Sequence, residues 1–141
     1  MTVFIRAATE NDIAAVAEIW LVGWFDGHAD IVPAELTALR TRESFLERVT
    51  SHLAETRVVE KDGDVIGFSM LRDAEVYQFY VARVGRGEGI AKLLAQDAEQ
   101  EFHARGITTI WLACSIGNDR AARFYEKTGW VRTGIQTEQL E

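Results

Sequence analysis

The stretch Val81-Ala-Arg-Val-Gly-Arg-Gly-Glu-Gly-Ile-Ala91 constrains this chain more than any other part of it. Before it lies an aromatic and β-branched run, Glu75 to Val81, with the composition of a strand. Within it, glycines stand at positions 85, 87 and 89. After it, Ile90, Leu93, Leu94, Ala98 and Phe102 recur at helical spacing. A strand that turns through glycines into a helix leaves the first helical amides unpaired, at the positive end of the helix dipole. Glycines let a phosphate approach those amides closely, so the segment predicts an anion site.

Other segments supply the elements around that turn. Val3 to Arg6 reads as a short strand, and Thr9-Glu-Asn-Asp12 reads as a capping box with Asp in place of Glu. Ile13, Val16, Ile19, Trp20 and Trp24 form a helical stripe, with Gly23 and Gly27 predicting a kink or fraying near its end. A loop from Asp26 to Pro33 precedes further helical pattern through about Ala54. Arg57 to Glu60, Lys61-Asp-Gly-Asp64 and Val65 to Leu71 read as strand, turn and strand. Gly106 suits a helix C-cap, Thr108 to Cys114 is predicted as a strand, Arg120 to Lys127 as a short helix, and Trp130 to Arg132 as the start of a last strand. The order β-αα-βββ-α-β-α-β makes an α/β fold with helices on the faces of a mixed sheet.

Three phosphate-binding patterns compete for the glycine turn. A P-loop requires Lys-Ser/Thr after its last glycine, where this chain has Ile90. A dinucleotide fingerprint requires G-x-G-x-x-G/A, and both frames fail, at Ile90 and at Lys92. Arg86-Gly-Glu-Gly-Ile-Ala91 fits R/Q-x-x-G-x-G/A, which resembles the pyrophosphate signature of the GNAT superfamily of acyl-CoA N-acyltransferases. Glycines that merely make a tight strand-to-helix turn would look the same in isolation. A second segment, Asn118-Asp-Arg-Ala-Ala-Arg-Phe-Tyr-Glu-Lys-Thr-Gly-Trp130, resembles that family's N-x-x-A-x-x-F-Y-x-K-x-G-F, with Trp for the final Phe. The resemblance runs from Val3 to about Trp130.

It implies a GNAT-like, mostly antiparallel central sheet with helices on both faces, and a single N-acetyltransferase domain over residues 1–141. It also implies an acetyl group carried from acetyl-CoA to a primary amine of a small molecule or peptide, by direct attack in a ternary complex. Phe79 and Val81 would offer main-chain hydrogen bonds to the pantetheine arm, and Arg86, Gly87, Glu88, Gly89, Ile90 and Ala91 would wrap the pyrophosphate. Asn118 would hydrogen-bond the pantetheine, and Arg83 or Arg123 would reach the adenosine-side phosphate. Tyr125 holds the position of the acid that protonates the leaving thiolate, and Glu75 the position of a general base. Half-buried helix packing is the alternative reading of Tyr125, as simple solvation at the start of a strand is of Glu75. On the acceptor side, Trp24 and Asp26 are the candidate contacts, and Trp20 is assigned to the core. Family members usually end in a hairpin, but Gln136 to Glu141 is too polar for a central strand. The expectation is a missing or very short closing strand, with homodimer pairing at the open edge.

Composition narrows the partners. With 15 Lys and Arg against 22 Asp and Glu, the net charge of −7 disfavours nucleic acid and anionic membrane and favours a cationic amine. Cys114 is the sole cysteine and is read as a small buried hydrophobe, and the dispersed His28, His52 and His103 predict no metal site. No signal-peptide order and no apolar run near the roughly 18 residues of a membrane span are present, which makes a cytoplasmic protein the expectation. A catalytically silent acyl-CoA-binding sensor or scaffold is the alternative function, and a nucleotide-binding protein of another fold is a second.

Overall fold

The computed structural model describes residues 2–28, 30–114 and 118–134. Its centre is a four-stranded antiparallel sheet in the order β1 (Val3–Ala7), β2 (Thr56–Lys61), β3 (Asp64–Arg72), β4 (Glu75–Val81). The β2–β3 hairpin closes on the pair Lys61–Asp64 through Asp62 and Gly63, both at positive φ. Such a two-residue turn matches the twist of the strands it joins. The helices are α1 (Ile13–His28), α2 (Ala34–Leu39), α3 (Arg42–Ser51), α4 (Ile90–Ala104) and α5 (Asp119–Lys127).

Alternation along the strands divides the core between the two faces. Val58, Phe68 and Met70 pack with Val16, Trp20, Trp24, Phe45 and Val49 of α1 and α3. Val59 and Ile66 face Ile90 and Leu94 of α4, and Leu71 and Val76 face Ala98 and Phe102 farther along it. Phe45, Phe68, Met70 and Leu94 are fully buried, each contributing about 1.5–3 kcal/mol of transfer free energy. The ladder slips opposite Met70 and Leu71, which pair with Gln78 and Val76, so Tyr77 is the extra residue of a bulge in β4.

Arg6 ties the start of the chain to the sheet. Its guanidinium donates to Asp12 at 2.8 and 3.0 Å and to Glu60 at 3.0 and 3.2 Å. Asp12 also accepts from the Thr9 amide at 2.8 Å, the reciprocal half of the expected capping box. These bonds, led by Arg6, hold the buried Asp12 carboxyl down at about 2.

Three sequence expectations are corrected. α1 neither frays nor kinks at its glycines but runs unbroken to His28. A Cβ on Gly23 would lie 2.4 Å from the Tyr80 ring, and one on Gly27 would lie 3.0 Å from Asn118 Nδ2. The glycines let β4 and the start of α5 approach the helix. Likewise, Thr108 to Cys114 is not a ladder strand. It meets β4 at a single parallel bridge, Glu75–Trp111, where Val76 N–H donates to Trp111 O at 2.9 Å and Trp111 N–H to Ala74 O at 3.0 Å. Ile110 and Leu112 still pack on the α4 side of the sheet, which accounts for their apolar pattern. Among the described residues, Trp130 to Arg132 forms no strand either, and the expected closing segment, Gln136 to Glu141, lies outside them. No described helix is long and apolar enough to cross a membrane.

Two stability outcomes follow from these contacts. Alanine normally improves a helix over glycine by about 1 kcal/mol, yet Gly23→Ala should destabilise the protein by about 1–3 kcal/mol, because the Tyr80 ring must move. Urea unfolding checks this, and Tyr80→Ala in the same chain should remove most of the penalty. Asp12→Asn should cost about 1.5–3 kcal/mol at pH 7. The folded Asp12 carboxyl lies below its ordinary value of 3.8, so its contribution is complete above that value and is lost as pH falls through about 2. The wild-type and Asn variant stabilities should therefore converge at the acid end of a pH series.

Candidate functional site

The glycine turn and the start of α4 form an open cradle. Gly89 is the N-cap of α4 in the left-handed region, at φ 77°, and Gly87 lies there too, at φ 83°. A Cβ built on either would meet nothing within 4 Å, so both positions face open space. No side chain caps the helix, and the first amide bonded back into the turn is that of Leu93, to Gly89 O at 3.1 Å. The amides of Ile90, Ala91 and Lys92 are thus the orphan donors of the first turn. Ile90 is buried against Val59 and Ile66, which fixes the direction in which those donors point.

Basic side chains gather around this turn. Burial, then the neighbouring guanidinium of Arg120, pushes Arg86 below its ordinary value, with Arg83 adding to the effect and Asp26 opposing it. Arg83 clasps Asp26 at the end of α1 through contacts of 2.8, 2.8 and 3.2 Å. Glu88 is held by Lys61 at 2.6 Å, which turns the one acid of the loop toward β2. Arg123 lies exposed on α5.

β4 supplies the second wall. Ala82 N–H bonds back to Ile66 O of β3 at 2.8 Å. By the alternation of an antiparallel ladder, the amides and carbonyls of Phe79 and Val81 point to the opposite edge. Beyond the Glu75–Trp111 bridge, no described strand covers that edge. The Phe79 ring stacks on Phe124 at 5.8 Å and meets Tyr125 edge-on at 6.2 Å. Tyr125 also contacts Trp130 at 6.1 Å, so α5 and the residues after it lie against the free edge. Burial, and then Cys114 and Tyr80, push the Tyr125 phenol up, which keeps its proton on at neutral pH. Asn118 caps α5, its Oδ1 accepting from Ala121 N–H at 3.4 Å, while its amide rests by Gly27.

The remaining candidates are placed differently from one another. Glu75 is only 8% exposed and accepts a hydrogen bond from Arg72 at 2.8 Å, at the end of β4 far from the glycine turn. Trp24, expected to touch an acceptor, is 5% exposed and packed between His28, Phe25 and Phe45, so it belongs to the core. Its place on the stripe with Val16 and Trp20 had the same meaning as theirs. Asp26 is engaged by Arg83 and so is not a bare carboxylate waiting for a cation. Cys114 is exposed rather than buried, with its thiol 3.8 Å from Asn118 O. Tyr80, not singled out in the sequence, enters the site. Its ring lies on Gly23 and stacks on Phe68 at 5.8 Å, and burial pushes its phenol up. Its position between Phe79 and Val81, on the strand face opposite theirs, was the available signal.

Comparison with known proteins bears on the family and the fold. A model of the Acetyltransferase (GNAT) family matches residues 13–130. Proteins described as uncharacterized N-acetyltransferases in Mycobacterium tuberculosis and Mycobacterium bovis are 31% identical over 117 residues, 79% of this chain and 72% of theirs. Among solved structures, the PaiA N-acetyltransferase of Thermoplasma acidophilum in complex with coenzyme A superposes with a TM-score of 0.77 at 22% identity, covering 96% of this chain and 94% of that one. YjaB from Escherichia coli in its apo form gives 0.73 at 23% identity, covering 95% and 86%. At these identities the structural matches speak for the fold.

The cradle yields a direct expectation. Gly89→Val puts a branched side chain into the open face and into a left-handed conformation that costs an L-residue about 1–2 kcal/mol. The protein should remain folded by circular dichroism while acetyl-CoA affinity, measured calorimetrically, falls at least about tenfold, the loss of one charge-assisted hydrogen bond. Unchanged affinity in the folded variant would remove the loop from the binding site.

Proposed function

This chain belongs to the GNAT family of acetyltransferases, and on that premise we propose that it transfers an acetyl group from acetyl-CoA to a primary amine by direct attack in a ternary complex. The observation that carries the proposal is the uncapped start of α4 behind an open glycine turn, next to the outward-facing edge of β4. Both features suit the cosubstrate, since a pyrophosphate requires convergent amides and a pantetheine arm requires unpaired main-chain groups. When bound, acetyl-CoA supplies an activated acetyl group and a thiol leaving group.

Each of the chain's own residues then has a defined task. The segment Arg86 to Ala91 binds the pyrophosphate, with Arg123 at the adenosine side. Phe79 and Val81 hold the pantetheine arm by their outward amides and carbonyls. Asn118 orients the arm while capping α5. Tyr125 stands beside Phe79 with its proton held on, and gives that proton to the departing sulfur. Glu75 is four residues before Phe79, about 13 Å along the strand, so it would take the amine's proton through water rather than directly. Arg72 fixes the Glu75 carboxylate in place for that task.

The two roles separate experimentally. Tyr125→Phe removes one hydroxyl, so acetyl-CoA should bind as before while turnover drops, by about 10- to 100-fold, the low end of general-acid catalysis for a thiol leaving group. Glu75→Gln keeps the size of the side chain and removes the proton acceptor. Its rate loss should be largest at acidic pH, where the amine is protonated, and should shrink as solvent deprotonates the amine. Steady-state rates of both variants across pH decide the matter. Full turnover in Tyr125→Phe would end its assignment as the acid, and a pH-independent loss in Glu75→Gln would make Glu75 structural.

A further inference from the structure

The α1–α3 face of the sheet carries hydrogen-bond donors that no acceptor answers. Arg48 of α3 lies with its guanidinium carbon 4.1 Å from the Trp20 ring centroid and 5.6 Å from that of Phe45. Its Nε and Nη1 are buried and have no partner, and neither has the indole Nε1 of Trp20 beneath it. A second cation, Arg40, is 5% exposed and stands 5.7 Å from the Trp24 ring of the same aromatic cluster. No described carboxylate pairs with Arg48, while Glu18 pairs with Arg42, Asp26 with Arg83, Glu55 with His52 and Glu75 with Arg72. Buried guanidinium N–H groups without an acceptor are costly, and cation–π contact with Trp20 answers the charge but not the donors.

A chain of ring contacts links this group to the candidate site. Trp20 meets Phe68 at 5.9 Å, and Phe68 stacks on Tyr80, the residue between the two proposed pantetheine-binding positions. Both Arg48 and Arg40 act electrostatically on the Tyr80 phenol, against its burial, and that phenol is in turn felt by Tyr125. Arg48, Arg40 and the proposed acid Tyr125 are thus all within electrostatic reach of Tyr80.

We propose that Arg48, backed by Arg40, recognises a carboxylate on the acceptor, so that the substrate class is an amine that also carries a carboxylate, as an amino acid does. This rests on the acetyltransferase reading and reverses the cationic acceptor that the net charge of −7 suggests. A carboxylate is an acceptor-only group whose two oxygens match the planar fork of a guanidinium. Overall charge sets the long-range field, but a buried, unanswered arginine sets what is bound next to it.

A panel of amino acids against their α-carboxamides, assayed by thiol release from acetyl-CoA, tests the proposal. Masking the carboxylate lowers the basicity of the amine and by itself favours the amide. Wild-type protein should nevertheless prefer the acids, with KM at least about tenfold lower. Arg48→Met should raise KM for the acids about 10- to 100-fold, leave KM for the amides and for acetyl-CoA unchanged, and so abolish the preference. Arg48→Lys, which keeps the charge without the fork, should fall between the two. Calorimetric binding of N-acetylphenylalanine against N-acetylphenylalaninamide reads the same site without turnover, and the acid should bind at least about tenfold tighter in wild type only. Failure to bind acetyl-CoA would defeat the acetyltransferase reading, whereas equal or better use and binding of the amides by wild-type protein would overturn this one.

Discussion

The candidate site depends on a helix start that the protein leaves open. The first-turn amides of α4 have no side-chain cap, and the turn in front of them is made by Gly87 and Gly89 at positive φ. An ordinary sequence would close such an end with a Ser, Thr, Asp or Asn cap. Here the helix is secured from its other side instead, by Ile90, Leu94, Ala98 and Phe102 buried along the sheet. Hydrophobic packing thus supplies the stability that capping does not, and the uncapped donors stay available to an anion.

A second constraint couples the two halves of the site through α1. Gly23 admits the Tyr80 ring, Gly27 admits Asn118, and Asp26 clasps Arg83 at the entrance of the glycine turn. One face of a single helical turn and a half therefore touches β4, the cap of α5 and the basic loop. A shift of α1 on binding an acceptor would be felt at each of these three places. The same helix carries Trp20, over which Arg48 lies, so the acceptor side and the cosubstrate side share one rigid element.

Much of this was legible in the sequence, for identifiable reasons. The strand, glycine turn and helix were visible because glycines that need positive φ leave a local signature, as does the Asp62-Gly63 hairpin turn. The segment from Asn118 to Trp130 was legible because its spacing matches a known pattern residue by residue. What escaped was non-local. Periodicity cannot tell a glycine that weakens a helix from one that admits a neighbour's side chain, as Gly23 admits Tyr80 and Gly27 admits Asn118. The Asp26–Arg83 pair joins residues 57 positions apart, and the unanswered donors of Arg48 exist only once the chain is packed. Thr108 to Cys114 has a strand's composition, but a ladder also needs a partner edge, and the segment meets β4 at a single bridge.

The central claim is that the main chain of the glycine turn and of the β4 edge receives acetyl-CoA. Titration of acetyl-CoA into isotopically labelled protein, followed by amide resonances and their hydrogen exchange, tests it most directly. The account predicts that the amides of Gly87 to Lys92, with those of Phe79 and Val81, shift most and gain protection together at saturation. Binding that leaves these amides unmoved, with the shifts gathered on another face of the sheet, would contradict it.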